Sequence, residues 1–372
     1  MRIFFAVPRS AWVDINLRHS LEDMGHELVR FEFPGWPDDA DPLWWTAGKP
    51  MTNQRLLDAF REAVDAGGVD LFFGYLYGSV VYPETIDLIR RSGVPTVNFS
   101  CNNVHQFDLV RDIAPCFDAC IVPELAAQSD FLSAGARPLR IQLAANPRFY
   151  RPYPYARRYD VTFVGQRYAD RADHLDRLRR SGLDVRAWGA GWSSGKRFDL
   201  AHLKAAVALY EDERLDGVQR FSRRWIWPRA AAGPAGTRAE IDTRGWGGPR
   251  LLQRDLVKVF SRSRVSLGFA TAGNSHLSHK RLTHLRLREF EAPMSGAFYM
   301  TEHQEELAEY FSIGEEVITY ADASELTDKA RYYVRHEEEA ERIRRAGFHR
   351  ARREHTWQRR FSQLFDCLGL RR

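Results

Sequence analysis

The residues best suited to chemistry lie in the segment R-E-F-E-A-P-M-S-G, from Arg288 to Gly296. Arg288 and Glu291 are three positions apart, so on a helix their side chains would share one face. A guanidinium binds phosphate oxygens, and a fixed carboxylate accepts hydrogen bonds from hydroxyl groups. An arginine and a glutamate at this spacing more often form a surface ion pair, so the spacing alone does not indicate a binding site and the surrounding sequence must support it.

A second group of candidate ligands follows the apolar run Y-D-V-T-F-V, which ends at residue 164. Gly165 comes directly after this predicted strand, where a backbone turn can approach a phosphate with no side chain in the way. Gln166 and Arg167 lie in the same turn, and Arg171 follows at helical spacing. We expect these residues to contact phosphate, although a glycine after a strand often marks only a turn. Further basic residues that could neutralise phosphate are Arg264, Lys280, Arg281, His284 and Arg286.

Polar residues also follow the predicted strand V-P-T-V-N-F-S, residues 94–100. Asn102 and Asn103 carry no charge, which favours binding over proton transfer. His105 is the only group in this loop whose ordinary pKa lies near neutrality, so it is the candidate general base, with a structural role as the alternative. Asp14, at the start of the first predicted helix, is a further candidate, although aspartate there usually caps the helix.

The elements that must position these residues alternate between strands and helices. In the first 144 residues, apolar or alternating runs predict strands, and amphipathic segments between them predict helices. Such alternation specifies a parallel sheet with helices on both faces. The predicted strands are residues 2–7, 26–33, 70–77, 94–100, 117–123 and 138–144, and the predicted helices are 13–25, 53–66, 83–93 and 124–135.

The chain has 372 residues, which is too long for one ordinary core and about right for two domains. Prolines and aromatics at 147–158 predict an ordered linker, so we place the first domain at 1–155. The second domain spans 156–353, with an insertion at about 193–250. Residues 354–372 form a C-terminal helix that returns towards the first domain. The predicted strands of the second domain are 159–165, 183–189, 264–270, 297–302 and 317–320, and its helices are 171–182, 251–263, 285–296 and 324–336.

The segment from Arg288 to Gly296 resembles the R-x-F-E-A-x-x-x-G signature of the CgeB-like branch of the GT-B glycosyltransferases. Four further segments match that family in the same order along the chain, which a chance motif would not do. They are T-V-N-F-S-C-N-N-V-H-Q-F-D (96–108), I-Q-L-A-A-N-P-R-F-Y-R-P (141–152), Y-D-V-T-F-V-G-Q-R-Y-A-D-R (159–171) and E-H-T-W-Q-R-R (354–360).

The resemblance implies the GT-B fold, in which two Rossmann-like, doubly wound α/β domains face a central cleft. It also implies a glycosyltransferase of hexosyl or related type, which moves a sugar from a nucleoside-diphosphate sugar to an unidentified acceptor. In the wider GT-B group the carboxylate of F-E-A holds the donor ribose, so by resemblance Glu291 takes that role. The acceptor would bind to the first domain, where we expect contacts from Asp14, Asn102 and Asn103, with His105 as the base.

Two departures from the family pattern leave other functions open. Many relatives have a second glutamate eight positions before the first, where this chain has Thr283, and an aspartate near Asn102. A GT-B-fold nucleotide-sugar epimerase and a non-catalytic nucleotide- or carbohydrate-binding protein with a decayed site are therefore alternatives. A dehydrogenase of the Rossmann type is disfavoured because A-V-P-R-S-A-W, not G-x-G-x-x-G, follows the first strand.

Composition limits the binding partners and the cellular compartment that we expect for this protein. The 54 basic residues are offset by 49 acidic ones, so the net charge of +5 is weak evidence for nucleic acid as a partner. The four cysteines form no C-x-x-C pair, which favours free thiols in a reducing compartment. No apolar run has the length of a membrane span, and we expect a cytoplasmic protein. With no D-x-D motif in view, we expect no essential metal and no cofactor beyond the donor itself.

Overall fold

The computed structural model describes residues 1–35, 41–193, 241–272, 275 and 282–370. The chain divides into two compact units, each built on its own parallel sheet. The first unit comprises Met1–Asn146 and Trp357–Arg372, and the second comprises Pro147–Thr356.

The sheet of the first unit is formed by short, apolar strands. They are β1 (Arg2–Pro8), β2 (Glu27–Phe33), β3 (Leu71–Gly74), β4 (Thr96–Phe99), β5 (Ala119–Ile121) and β6 (Pro138–Leu139). The strands pair in parallel in the order β2-β1-β3-β4-β5-β6. Because all strands are parallel, their carboxyl ends share one edge of the sheet, where ligands of such folds bind.

Helical segments connect these strands. They are α1 (Ala11–Val13), α2 (His19–Asp23), α3 (Lys49–Asp65), α4 (Pro83–Arg90), α5 (Asn103–Gln106) and α6 (Gln128–Ser133), with π-helical turns at Asp14–Arg18 and Trp44–Gly48 and 3₁₀ turns at Phe107–Leu109, Ala114–Cys116 and Leu125–Ala127. Phe4 of β1 packs between the rings of Phe60 and Phe72, whose centroids lie 5.4 and 5.5 Å away. Burying each such ring stabilises the unit by roughly 1.5–3 kcal/mol.

The second unit repeats this design. Its strands are β7 (Tyr159–Val164), β8 (Val185–Trp188), β9 (Gly247–Gly248), β10 (Ser263–Leu267), β11 (Tyr299–Glu302) and β12 (Ile318–Tyr320), in the order β12-β11-β10-β7-β8-β9. Its helices are α7 (Arg171–Arg180), α8 (Gln253–Arg262), α9 (Arg288–Met294), α10 (Ala323–Arg335) and α11 (Glu337–Glu354), with a 3₁₀ turn at Glu305–Glu309. In its core, Phe163 makes edge contacts with Phe269 and Trp192.

The last helix, α12 (Trp357–Leu368), belongs to the first unit. Trp357 packs edge-on against Phe99 of β4, and Phe361 packs edge-on against Phe73 of β3. The Nε of Arg360 donates to the carbonyl of Gln142 at 3.0 Å. The end of the chain therefore completes the core of the unit with which the chain begins.

The two α/β sheets were predicted correctly, but several element bounds were not. The strand predicted at 70–77 ends at Gly74, because the Asn98 side chain bonds both backbone groups of Leu76 and so replaces the ladder there. The strand predicted at 138–144 has only two residues in the sheet. Gly247–Gly248, predicted to lie in the insertion, form the edge strand β9, paired with β8. Residues 194–240 of that insertion lie outside the described residues.

None of the described helices has both the length and the apolar character needed to cross a lipid bilayer. Among the same residues, no group of three or more His, Cys, Asp or Glu side chains is placed to hold a metal ion. All four cysteines are free thiols.

Candidate functional site

The short helix α9 carries the two residues that the sequence singled out first. It begins at Arg288 and ends at Met294, and Gly296 follows in the left-handed conformation, with a φ of 73°, that terminates many helices. A Cβ at Gly296 would approach Pro152 to 2.8 Å, so both the backbone and the packing require glycine here. The Nε of Arg288 donates to the carbonyl of Val164 at 3.3 Å, which ties α9 to the carboxyl end of β7.

Glu291 is completely buried, and both of its carboxylate oxygens accept hydrogen bonds. One carboxylate oxygen accepts a hydrogen bond from the Tyr150 hydroxyl and the other accepts one from Arg288. Gln253 in turn donates to the Tyr150 hydroxyl. Since Arg288 is partly exposed, it is the side chain that covers the carboxylate. A ligand hydroxyl can therefore reach Glu291 only if Arg288 or Tyr150 gives way.

A second carboxyl group, Glu289, is also completely buried. One of its oxygens accepts from the backbone N–H of Arg286 at 2.8 Å and the other from the Thr301 hydroxyl at 3.3 Å. Burial raises its pKa to about 7, because the charged form is poorly solvated there. Glu289 thus anchors the loop before α9 to the carboxyl end of β11.

The turn after β7 is tightly packed around Gly165. A Cβ there would lie 2.5 Å from the Phe163 ring, and a Cβ on Gly189 would lie 2.1 Å from the Gly165 carbonyl oxygen. The Trp192 indole donates to that same carbonyl at 2.7 Å. Packing within the unit therefore accounts for the glycine without a ligand. Ala169, four residues on, has a φ of 54°, which is uncommon for a residue other than glycine.

Arg171 is the most unusual group of this turn. It is the first residue of α7 and only 4% exposed. Its guanidinium stacks on the Tyr168 ring at 3.7 Å and donates to the carbonyl of Gln166 at 2.9 Å and to the Tyr168 hydroxyl at 2.6 Å. Its Nε has no hydrogen-bond partner in the described residues. Burial lowers the pKa of Arg171 to about 10, and the positive charge of the nearby Arg286 guanidinium contributes to this decrease.

This arrangement favours an anion. No carboxylate of the described residues forms an ion pair with Arg171, and the neighbouring Arg286 adds a second positive charge near Tyr168. A buried charge without a counter-charge is costly, and the N-terminus of a ten-residue helix such as α7 adds unpaired N–H groups and a favourable dipole. Arg171 and Arg288 both bond to carbonyls of residues 164–166, so two guanidiniums converge on one turn.

The other predicted phosphate ligands divide into three groups. Gln166 is exposed in the turn, and Arg167 donates to the carbonyl of Ile241 and stacks over Trp192, so its guanidinium is partly used in packing. Arg264 lies at the amino end of β10, beside Asp160 and Glu337, and away from the carboxyl edge of the sheet where we expected it to contact phosphate. Lys280 and Arg281 lie outside the described residues.

In the first unit, the predicted asparagines form the turn that follows β4. Asn102 is partly exposed and has a left-handed backbone, with a φ of 65°. Asn103 is buried, and its amide bonds to the Ser100 hydroxyl and to Glu124. The side chain of Asn103 is therefore used within the turn. Among the described residues, the Asn102 side-chain amide makes only a longer contact, from its nitrogen to the Cys101 sulfur at 3.7 Å, so it is the asparagine more open to a ligand.

His105 is exposed on α5 and lines an open pocket of about 700 Å³ within the first unit. Asp108, Asp112 and Asp130 line the same pocket, so its charge is mainly acidic. Asp14 pairs with Arg18 one turn along its helix, at 2.7 Å. That ion pair occupies the aspartate that we predicted to bind the acceptor.

Sequence reasoning missed Glu124, Tyr150, Tyr168 and Glu289. Glu124 had a usable signal, since it stands directly after the predicted strand 117–123, at the edge where ligands bind. Glu289 lies inside the motif itself but at a position that the signature leaves free. Nothing in the sequence pattern marks the two tyrosines. Tyr150 contacts the distant Gln253 and Glu291, and Tyr168 contacts the distant Arg286 as well as Arg171, three residues on.

Comparison with known proteins relates this chain to glycosyltransferases. A family model described as glycosyl transferase-like matches residues 219–366, a stretch that includes α9, Glu289 and Glu291. No curated protein matches the chain.

Solved structures resemble the chain over nearly its whole length. Sucrose-phosphate synthase from Thermosynechococcus elongatus is 13% identical with a TM-score of 0.59, covering 99% of this chain and 98% of that one. Anabaena HepE, in complex with UDP-glucose, is 12% identical with a TM-score of 0.58, covering 99% of each chain. A structure described as a putative UDP-N-acetylglucosamine 2-epimerase from Listeria monocytogenes is 9% identical with a TM-score of 0.51, covering 100% of this chain and 98% of that one. At such identities the likeness shows the fold, which is GT-B.

Proposed function

We propose that this GT-B chain is a glycosyltransferase that moves a sugar from a nucleoside-diphosphate sugar to an acceptor hydroxyl. One observation carries the proposal: Arg171 and Arg288 converge on the turn after β7, and Arg288 also binds a buried carboxylate, Glu291. A diphosphate next to a ribose diol requires this combination of guanidiniums and carboxylate. The glycosyl transferase-like match over α9 supports the same assignment.

Donor binding would rearrange the pair on α9. We propose that the Arg288 guanidinium moves from Glu291 to the diphosphate, which frees the carboxylate to accept the ribose hydroxyls. Arg171 would supply the second guanidinium, and the backbone N–H groups at the start of α7 would complete the phosphate site. UDP is the first nucleotide to test, since the Anabaena structure similar to this chain contains UDP-glucose.

The direct test is a thermal-shift panel of nucleoside diphosphates. A nucleotide present at 100 times its dissociation constant stabilises the folded protein by about 2.7 kcal/mol, which is easily measured. We expect UDP to raise the melting temperature and inorganic sulfate at equal concentration to have little effect. A panel in which no nucleoside diphosphate shifts the transition contradicts the proposal.

Turnover separates the transferase from its two alternatives. With UDP-glucose as the donor, a transferase releases UDP and its rate rises with an acceptor. An epimerase, the activity named for the Listeria structure, converts the nucleotide-sugar to an isomer without releasing UDP. A binding protein with a decayed site is saturated by the nucleotide and yields neither product.

Glu291→Gln is expected to weaken UDP binding by about 2 kcal/mol, since an amide replaces a charged acceptor of the ribose hydroxyls. Isothermal titration calorimetry measures the change. Glu338→Gln, at an exposed position on α11, is the matched control and should bind UDP as the wild type does. If both variants bind UDP equally well, Glu291 does not hold the ribose.

His105→Ala is expected to lower the turnover number by about 100-fold while the dissociation constant of UDP stays constant, because we propose the imidazole as the base for the acceptor. The control is His26→Ala, which changes a histidine of the same unit outside α5. The measurement is the initial rate of UDP release at saturating donor. Near-normal turnover would assign His105 a structural role, and lost UDP affinity would place it on the donor side.

A further inference from the structure

The turn after β4 has a backbone that its sequence does not favour. Asn102 has φ 65° and ψ 23°, in the left-handed region where glycine is the usual residue. Asparagine tolerates this region better than most residues, but the conformation still has an energetic cost. Glycine would adopt this conformation without strain, so the turn itself does not require the partly exposed side chain of Asn102.

A buried carboxylate holds the turn in place. Glu124 is only 3% exposed, and its oxygens accept from the backbone N–H groups of Asn102 and Asn103 and from the Asn103 amide at 2.9 Å. The Ser100 hydroxyl closes the ring of contacts by donating to the other end of that amide at 2.5 Å. Burial raises the pKa of Glu124, whereas these donors lower it by favouring the charged form. Four hydrogen bonds therefore fix the turn that carries the partly exposed Asn102 side chain.

Aromatic rings adjoin the turn along the carboxyl edge of the sheet. The Tyr75 hydroxyl lies 3.4 Å from the Cys101 sulfur, and the Tyr75 ring makes edge contacts with Phe99 and Trp12. Trp12 follows β1, Tyr75 follows β3 and Asn102 follows β4. The indole N–H of Trp12 is buried and has no partner among the described residues. Trp12 also stacks on Phe99, and both Trp12 and Tyr75 are partly exposed, so the edge combines partly exposed rings with uncharged hydrogen-bonding groups.

We infer that the Asn102 amide binds a hydroxyl of an uncharged, ring-containing acceptor, and that Glu124 is the positioning residue that holds Asn102 for it. This rests on the proposed transferase function. An amide can donate to and accept from a hydroxyl at once, and aromatic faces suit the apolar faces of sugar or phenyl rings. The Glu124 carboxylate is buried and accepts from three uncharged donors within the turn, so it is not open to a cationic group of an acceptor.

The test uses UDP-glucose as the donor and two acceptor probes, the neutral 4-nitrophenyl β-D-glucoside and the anionic 4-nitrophenyl β-D-glucuronide. We expect the wild type to prefer the neutral probe. Asn102→Gly is the decisive variant, because glycine adopts the same backbone without strain and should keep or raise the melting temperature. Its KM for the neutral probe should rise about tenfold, while the dissociation constant of UDP stays constant.

Glu124 is tested by removal and by conservative replacement. Glu124→Ala should raise the same KM at least tenfold. Glu124→Gln should keep the KM close to that of the wild type, because glutamine can still accept from the two backbone N–H groups. An unchanged KM in Asn102→Gly overturns the inference, as does a wild type that binds UDP and glucosylates only the anionic probe or neither probe. A wild type that fails to bind UDP contradicts the proposed function instead.

Discussion

Arg171→Met is expected to weaken UDP binding by about 4 kcal/mol, close to 1,000-fold, without lowering the stability of the protein. The loss corresponds to two charge-assisted hydrogen bonds from a guanidinium to phosphate oxygens. Stability should be kept or even raised, because methionine has a similar length and removes a buried charge that has no counter-charge in the described residues. A general disruption of the fold would lower both UDP affinity and stability, so a loss of affinity at unchanged or higher stability excludes it.

Calorimetry with UDP and chemical unfolding without ligand measure the two effects separately. Arg264→Met is the matched control, since Arg264 belongs to the same sheet but lies at its amino end, beside Asp160 and Glu337. It should leave UDP affinity unchanged. If Arg171→Met binds UDP normally, the buried guanidinium has a purely structural role and the phosphate site lies elsewhere.

Glu289→Gln is expected to make the protein more stable at pH 8 than the wild type by up to about 3 kcal/mol, but not at pH 4. The pKa of Glu289 rises from an ordinary 4.5 to about 7 in the folded state. Between these values the unfolded chain has lost the proton that the folded chain retains, so stability falls as the pH rises. The size follows from 1.36 kcal/mol for each pKa unit.

Glutamine removes this titration and preserves the contacts. Its carbonyl oxygen can accept from the N–H of Arg286, and its amide can donate to the Thr301 hydroxyl. The titratable groups that face Glu289 are Arg286, Arg288 and Tyr299, all of which remain in the variant. Urea unfolding of both proteins at pH 4, 6 and 8 measures the difference, with Glu338→Gln as a control. A difference in unfolding free energy that does not change with pH rules out ionisation of Glu289 as the cause.

Arg171 and Glu289 are both charged groups whose burial has an energetic cost. Burial of the Arg171 guanidinium has an energetic cost, and Glu289 fixes the loop before α9 at a cost that grows with pH. Both costs are typical of functional sites, where residues are placed for binding rather than for stability. The nucleotide, by pairing with Arg171, should recover part of the first cost.

The fold class followed from the sequence because strands and helices alternate with distinct hydrophobic periods. Buried parallel strands such as R-I-F-F-A-V-P are apolar after their first residue, and the helices between them are amphipathic, so neither could be mistaken for the other. Their local patterns specified two parallel sheets, which the structure contains. The same patterns could have excluded Arg264, which precedes the apolar part of its strand and therefore lies at the amino end.

Local motifs also located the region of the candidate site. The R-x-F-E segment and the turn after β7 lie far apart in sequence, and both were predicted to contact the donor. The structure joins them through the bond from Arg288 to the carbonyl of Val164. Their placement at the carboxyl ends of parallel strands is what made this meeting predictable.

Only the tertiary structure decided what each polar group contacts. Glu289 and Glu291 are two positions apart in a charged motif, yet both are fully buried, because each carboxylate has donors. Tyr150 and Arg288 donate to Glu291, and Thr301 and the backbone N–H of residue 286 donate to Glu289. Asn102 and Asn103 are identical in type, but Glu124 binds the side chain of one and leaves the other partly exposed. Sequence sets the residue types and the element that carries them, whereas the desolvation and partners that determine their chemistry arise from contacts between distant parts of the chain.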